Sequence, residues 1–210
     1  MMHTMKTRLI LAICAAAALL LPGCAQPAAT TSGNSLDDLF LTRRSVRSYD
    51  ASKTISEAEV RTIVEAAQQA PSWANTQTTR FYVAISPDKL AAVKECVGER
   101  NAANIAGAPV VLVSTFVKDQ SGFGRGTPAN EIGNEWGAYD NGLNNAYFIL
   151  KARDMGFDTL IMGFRESDRL RALFGIPETE EVMAVIALGY RAAEPGTPNH
   201  KTVDEVAKFF

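Results

Sequence analysis

The run Pro109-Val110-Val111-Leu112-Val113 offers no polar residue to either face that a strand presents. Such a strand has to be covered on both sides, which places it in the middle of a sheet with helices above and below. The neighbouring segments supply those helices. Ser35 stands as an N-cap before Leu36, Leu39 and Phe40. Ser56 and Glu59 form a capping box ahead of Val60, Ile63, Val64 and Ala67, and this spacing predicts a helix to Ala70, stopped by Pro71. Ser86-Pro87 opens another, carrying Leu90, Val93 and Val97.

Residues 81–85 and 182–188 read as strands, 159–162 as a short apolar segment, and 166–174 as a helix finishing at Gly175-Ile176-Pro177. A glycine-rich loop covers 121–133, of a length suited to a mobile or binding element. From Tyr139 to Met155 the residues Leu143, Ala146, Tyr147, Ile149, Leu150 and Ala152 predict a central helix whose apolar side is buried. Helices and strands thus alternate, as in an α+β or α/β sandwich. The Pro- and Gly-containing tail from Arg191 ends in a short amphipathic piece with Val203, Val206, Phe209 and Phe210, an arm that requires a partner surface.

Hydrophobic residues make up 47% of the chain and charged ones 21%, so burial can offset ordering entropy and the chain is expected to fold. The net charge of −2 provides no overall positive field, and nucleic acid is not expected as a partner. Lys6 and Arg8 precede the apolar run Leu9 to Leu21, which is shorter than the about 20 residues that span a bilayer. The run ends in Leu21-Pro22-Gly23-Cys24, which resembles a bacterial lipobox. The expected organisation is a lipoprotein signal peptide over 1–23, lipidation at Cys24, a small and polar tether over 24–34, and one folded domain over 35–210. That implies an extracytoplasmic protein of the cell envelope, held to a membrane by its lipid alone. Cys14 leaves with the signal peptide and Cys24 carries lipid, so Cys96 has no internal disulfide partner. With only His3 and His200 present, no metal site is expected.

Two segments carry chemistry. Arg43, Arg44 and Arg47 put three guanidinium groups within five residues, interleaved with Ser45 and Ser48. Guanidinium forks and hydroxyls suit a phosphate, although the same composition also describes a solvated surface. The loop Ala70-Pro71-Ser72-Trp73-Ala74-Asn75-Thr76-Gln77 places hydroxyl and amide groups where the edge of a planar heterocycle could use them. It reads equally as a helix-ending turn with Trp73 packed inward.

Taken together, Arg43, Ser45, Arg47 and Tyr49, followed by Ala70, Pro71, Ser72, Asn75 and Gln77, resemble the N-terminal pattern of the nitroreductase family. Tyr139 to Gly142, Asp154 to Thr159, Met162-Gly163-Phe164, Leu173 to Pro177, Val185 to Tyr190 and His200 to Val206 are similar to its later motifs in the same order. The chain departs from the usual pattern at Thr78-Thr79, where many members carry Pro-Trp, and at His200 and Thr202, where Arg and Pro are frequent.

The resemblance implies a three-layer α/β/α sandwich with a mainly antiparallel sheet, in an intertwined homodimer that binds FMN at the subunit interface. Arg43, Arg44, Ser45 and Arg47 would hold the phosphate and ribityl chain, with His200 and Lys201 adding charge. Pro71, Ser72, Asn75 and Gln77 would line the ring from the partner subunit, and Met162 and Gly163 would set backbone groups near its N5 edge. The implied activity is ping-pong reduction of nitroaromatics, quinones or similar planar acceptors. NAD(P)H is a suitable donor for the purified protein; outside the inner membrane, where a nicotinamide donor is not expected, a membrane electron carrier could replace it. Dehalogenation, flavin fragmentation or non-catalytic FMN binding are the alternatives that the resemblance leaves open.

Overall fold

The computed structural model describes residues 35–210. The proposed signal peptide, Cys24 and the tether lie outside the described residues. Along the chain the elements are α1 (Leu36–Thr42), α2 (Glu57–Ala67), a 3-10 turn (Trp73–Asn75), β1 (Thr79–Ala84), α3 (Pro87–Lys94), α4 (Glu99–Asn104) and β2 (Val110–Val117). Then follow β3 (Phe123–Gly124), β4 (Thr127–Pro128), α5 (Glu135–Asp154), β5 (Asp158–Met162), α6 (Ser167–Phe174), β6 (Glu180–Gly189) and α7 (Val203–Val206).

Four strands form a sheet in the order β1-β2-β6-β5, every neighbouring pair antiparallel. The two middle strands are the most apolar, and β2 is buried from Val110 through Phe116. Alternation along β2 divides the core in two. Val110 and Leu112 face Ile63 of α2 and Phe148 of α5, while Val111 and Val113 face Val93 of α3 and Leu170 of α6. This is the α/β/α layering expected from a strand without a polar face.

The serine caps are as the sequence predicts: the Oγ atoms of Ser35, Ser56 and Ser86 accept the N–H groups of Asp38, Glu59 and Lys89. Three expectations need correction. Helix α4 has no counterpart in the sequence reading, and the loop over 121–133 holds the small β3-β4 hairpin. Of the apolar residues expected inside on α5, only Ala152 is buried; Tyr139 is 60% and Tyr147 43% exposed. The face that packs on the sheet carries Asp140, Asn141, Asn144, Asn145 and Phe148. It turns inward because β2 offers polar partners there. The Asn141 amide nitrogen donates to the Thr115 carbonyl (3.0 Å) and Ser114 Oγ (2.8 Å), and Asn141 Oδ1 accepts from Asn145 (2.9 Å).

Candidate functional site

The arginine-rich segment runs along the β5 edge of the sheet. Ser45 forms a parallel bridge to Thr159, the Val46 N–H donates to the Thr159 carbonyl (3.0 Å), and Tyr49 bridges Arg191. Val46 and Tyr49 are both buried in the core, while Ser45, Arg47 and Ser48 are exposed. Burial pushes the Tyr49 phenol well above its ordinary pKa, with the charge of Asp158 adding to the effect, so it stays protonated.

Arg43, Arg44 and Arg47 form no ion pair among the described residues. Arg44 donates to its neighbour's carbonyl (2.8 Å) and to the Thr197 hydroxyl (3.4 Å), and Arg47 to the Ser45 carbonyl (3.1 Å). Three clustered guanidinium groups without a carboxylate leave positive charge for an external anion. The contact with Thr197 brings the C-terminal tail alongside, so the exposed His200 and Lys201 follow a few residues later on the same strand of chain.

Met162 closes β5 and is buried, whereas Gly163 is exposed, and a Cβ built on it would meet nothing within 4 Å. The Gly163 carbonyl accepts from Arg165 Nη1 (3.2 Å), and the space beside its Cα is open. Ser45 pairs with Thr159 on the strand that ends at Met162, so the arginine segment and the Met162-Gly163 pair share one edge.

The Pro71–Gln77 loop is elsewhere. It enters the sheet at β1, the opposite edge, where Thr79 is level with Phe116 and Glu181. Within one chain the structure does not bring this loop to the arginines. Ala74 (φ 45°), Asn75 (φ 56°) and Gln77 (φ 50°) all occupy the left-handed region, a strained arrangement that its surroundings must hold. Ser72 Oγ accepts the Gln77 N–H (3.0 Å), and Gln77 Nε2 donates to Asn75 Oδ1 (3.1 Å). The other ends of these amides, Asn75 Nδ2 and Gln77 Oε1, offer one donor and one acceptor at the exposed surface.

Sequence reasoning assigned no role to the residue that anchors this loop. Asp140 of α5 is buried and accepts the Trp73 N–H (2.9 Å) and the Ser121 hydroxyl (2.6 Å). With its proton committed to Asp140, Ser121 Oγ accepts from Thr76 (2.8 Å) and Thr78 (3.3 Å). The departure at Thr78 therefore has a local use. Trp73 is half-buried, its ring centroid 5.0 Å from that of Trp136, which lies 5.6 Å from Tyr139. The loop ends a helix with Trp73 packed, and it also exposes polar groups.

The fold and this geometry define a three-layer α+β protein with a free cationic patch on one sheet edge and a preorganised polar loop on the other. The family model described as the Nitroreductase family matches residues 41–190, and the chain belongs to that family. An NADH dehydrogenase of Thermus thermophilus is 28% identical over 185 residues, covering 77% of this chain and 88% of its own length. A protein of Exiguobacterium sibiricum solved in complex with FMN superposes with a TM-score of 0.76 at 21% identity, over 84% of this chain and 98% of its own. An oxidoreductase containing FMN gives 0.64 at 26% identity, over 76% and 79%.

Proposed function

We propose that this chain is an FMN-dependent oxidoreductase that works as a homodimer and reduces nitroaromatics, quinones or related planar acceptors in a ping-pong cycle. The observation that carries the reading is the set of three guanidinium groups without carboxylate partners beside an open strand end, in a chain of this family. Arg43, Arg44, Ser45 and Arg47 would hold the phosphate and ribityl chain, and Lys201 with His200 would add charge from the tail. Pro71, Ser72, Asn75 and Gln77 of a second copy would line the ring, and the Met162-Gly163 backbone would meet its N5 edge. Bound there, FMN supplies two-electron chemistry, and the chain supplies orientation and electrostatics.

A second copy accords with three features. The stripe of Tyr139, Leu143 and Tyr147 on α5 is at least partly open, β1 has no strand partner on its outer edge among the described residues and lies beside a cleft of about 800 Å³, and Phe209 and Phe210 are exposed. We further propose that Cys24 is lipidated and holds the domain at the outer face of a membrane. NAD(P)H then serves the purified protein, and a membrane electron carrier is the donor in place.

The test is an absorption spectrum of the purified protein followed by anaerobic titration. A flavin spectrum bleached faster by a reduced quinone analogue than by NADPH supports the whole reading. A protein that stays colourless after refolding with excess FMN refutes it. Incorporation of a labelled fatty acid, abolished by Cys24→Ala, tests the anchor.

A further inference from the structure

One residue from the point where the arginine segment meets the sheet lies a buried carboxylate with two cations around it. Asp158 opens β5 with a side chain 2% exposed. Arg191 grips it twice, Nε to Oδ2 at 2.8 Å and Nη2 to Oδ1 at 2.6 Å, and Arg153 Nη1 lies 3.3 Å from Oδ1. Both arginines also hold Thr42: Arg191 Nη2 donates to its carbonyl and Arg153 Nε to its hydroxyl, each at 3.3 Å. Thr42 ends α1 and is the residue directly before Arg43.

The far end of the segment is tied to the same node. Tyr49 bridges Arg191, and the Ala192 N–H donates to the Ser48 carbonyl (2.9 Å). The bonds from Asp158 hold Arg191 in its charged form and raise its pKa further. Glu194 takes the remaining reach of Arg191 at 2.7 Å. Arg153 and Arg191 are thus neutralised in place, while Arg43, Arg44 and Arg47 are left uncompensated. A buried carboxylate is costly to desolvate, and the bidentate grip with a second guanidinium offsets that cost in only one arrangement of the chain.

We propose that Asp158 is a positioning residue: through the side chains of Arg153 and Arg191 it fixes Thr42, next to the backbone bonds that tie Ser48 and Tyr49 to residues 191 and 192, and so holds the intervening arginines in the geometry that selects a phosphorylated flavin over its unphosphorylated form. The inference rests on the FMN reading above. Asp158 itself is enclosed by the two guanidinium groups and acts through them.

The test compares FMN and riboflavin affinities, read by flavin fluorescence, in the wild type, Asp158→Asn and Arg191→Lys, with circular dichroism and thermal melting as controls on folding. Asp158→Asn is expected to lower the ratio of FMN to riboflavin affinity by about tenfold, the loss of one well-aligned charge-assisted bond, while riboflavin affinity stays within about twofold. Arg191→Lys keeps the charge but cannot span the carboxylate and the Thr42 carbonyl together, so it moves the ratio in the same direction by a smaller factor. Lower melting temperatures with an unchanged ratio would make the node merely structural and overturn the proposal. If Asp158→Asn does not fold, an unchanged ratio in Arg191→Lys overturns it alone. Equal wild-type affinities for the two flavins overturn the phosphate reading and the proposal with it, an outcome recognisable before any variant is made.

Discussion

Replacing Asp140 with alanine isolates the contact that holds the strained loop. The carboxylate accepts from the Trp73 amide and the Ser121 hydroxyl, and both partners are sheltered. Ser121 keeps Thr76 and Thr78 after the change, but the Trp73 N–H has no substitute acceptor. Losing a bond to a charged acceptor and orphaning that amide should cost about 3 kcal/mol. At a urea m-value of about 2 kcal/mol/M, the midpoint falls by about 1.5 M. Asp140→Asn keeps an oxygen for one donor and should fall by about a third as much. The chain has two tryptophans, Trp73 and Trp136, and they are packed together here, so intrinsic fluorescence reports on this contact directly. Asp140→Ala should shift the emission to longer wavelength and increase quenching by acrylamide. An unchanged midpoint together with unchanged emission and quenching would refute the claim that Asp140 holds the loop.

Three further outcomes can be measured. A Cβ at Gly137 would stand 2.3 Å from the Phe116 ring, so Gly137→Ala should cost about 2 kcal/mol and lower the melting temperature by about 4–8 °C, measured by calorimetry. Arg44→Ala or Arg47→Ala should each weaken FMN binding by about tenfold or more and flatten its dependence on salt, measured by titration at several ionic strengths; unchanged affinity in both would remove the phosphate role. Tyr147→Glu places a charge on the exposed stripe of α5 and should shift sedimentation toward monomer; a dimer of unaltered strength would mean that this face is not the interface.

Legibility in the sequence followed the range of the interaction. Caps at Ser35, Ser56 and Ser86 depend on residues three positions away, and they were readable. Helix α4 was not, because it has no side-chain cap: Gly98 precedes it at φ 76°, and none of its residues is buried. For α5 the hydrophobic pattern located a helix but not the face that it buries: of the apolar residues expected inside, only Ala152 is buried. The sheet claims the opposite face through Asn141 and Asn145, a choice that depends on Ser114, 31 positions before Asn145, and Thr115, 26 before Asn141. The site divides in the same way. Arg43 to Arg47 and Ser72 to Gln77 are short, dense motifs; Asp140, which holds Trp73 from 67 positions away, and Asp158, which holds Arg191 from 33, become visible only when the chain is folded.

The separation of the two motifs bears on assembly. Thr159, beside the arginines, pairs with Leu188, and Thr79, where the loop enters the sheet, is level with Glu181. Three strand spacings across and seven residues along the strands put these points about 27 Å apart. A flavin mononucleotide does not bridge that distance, so one copy of the chain cannot place both motifs on the same cofactor. A two-fold arrangement of two copies can set the arginine edge of each against the loop of the other. In the proposed dimer the strain in the loop would have a reason: Ala74, Asn75 and Gln77 are held in costly conformations with Asp140 of their own subunit anchoring the loop at Trp73, so the amide edge would be shaped before a partner presents its ligand. The residues that shape each proposed half lie in the chain that carries that half, so in the proposed dimer two identical folded subunits would complete the site without either one refolding.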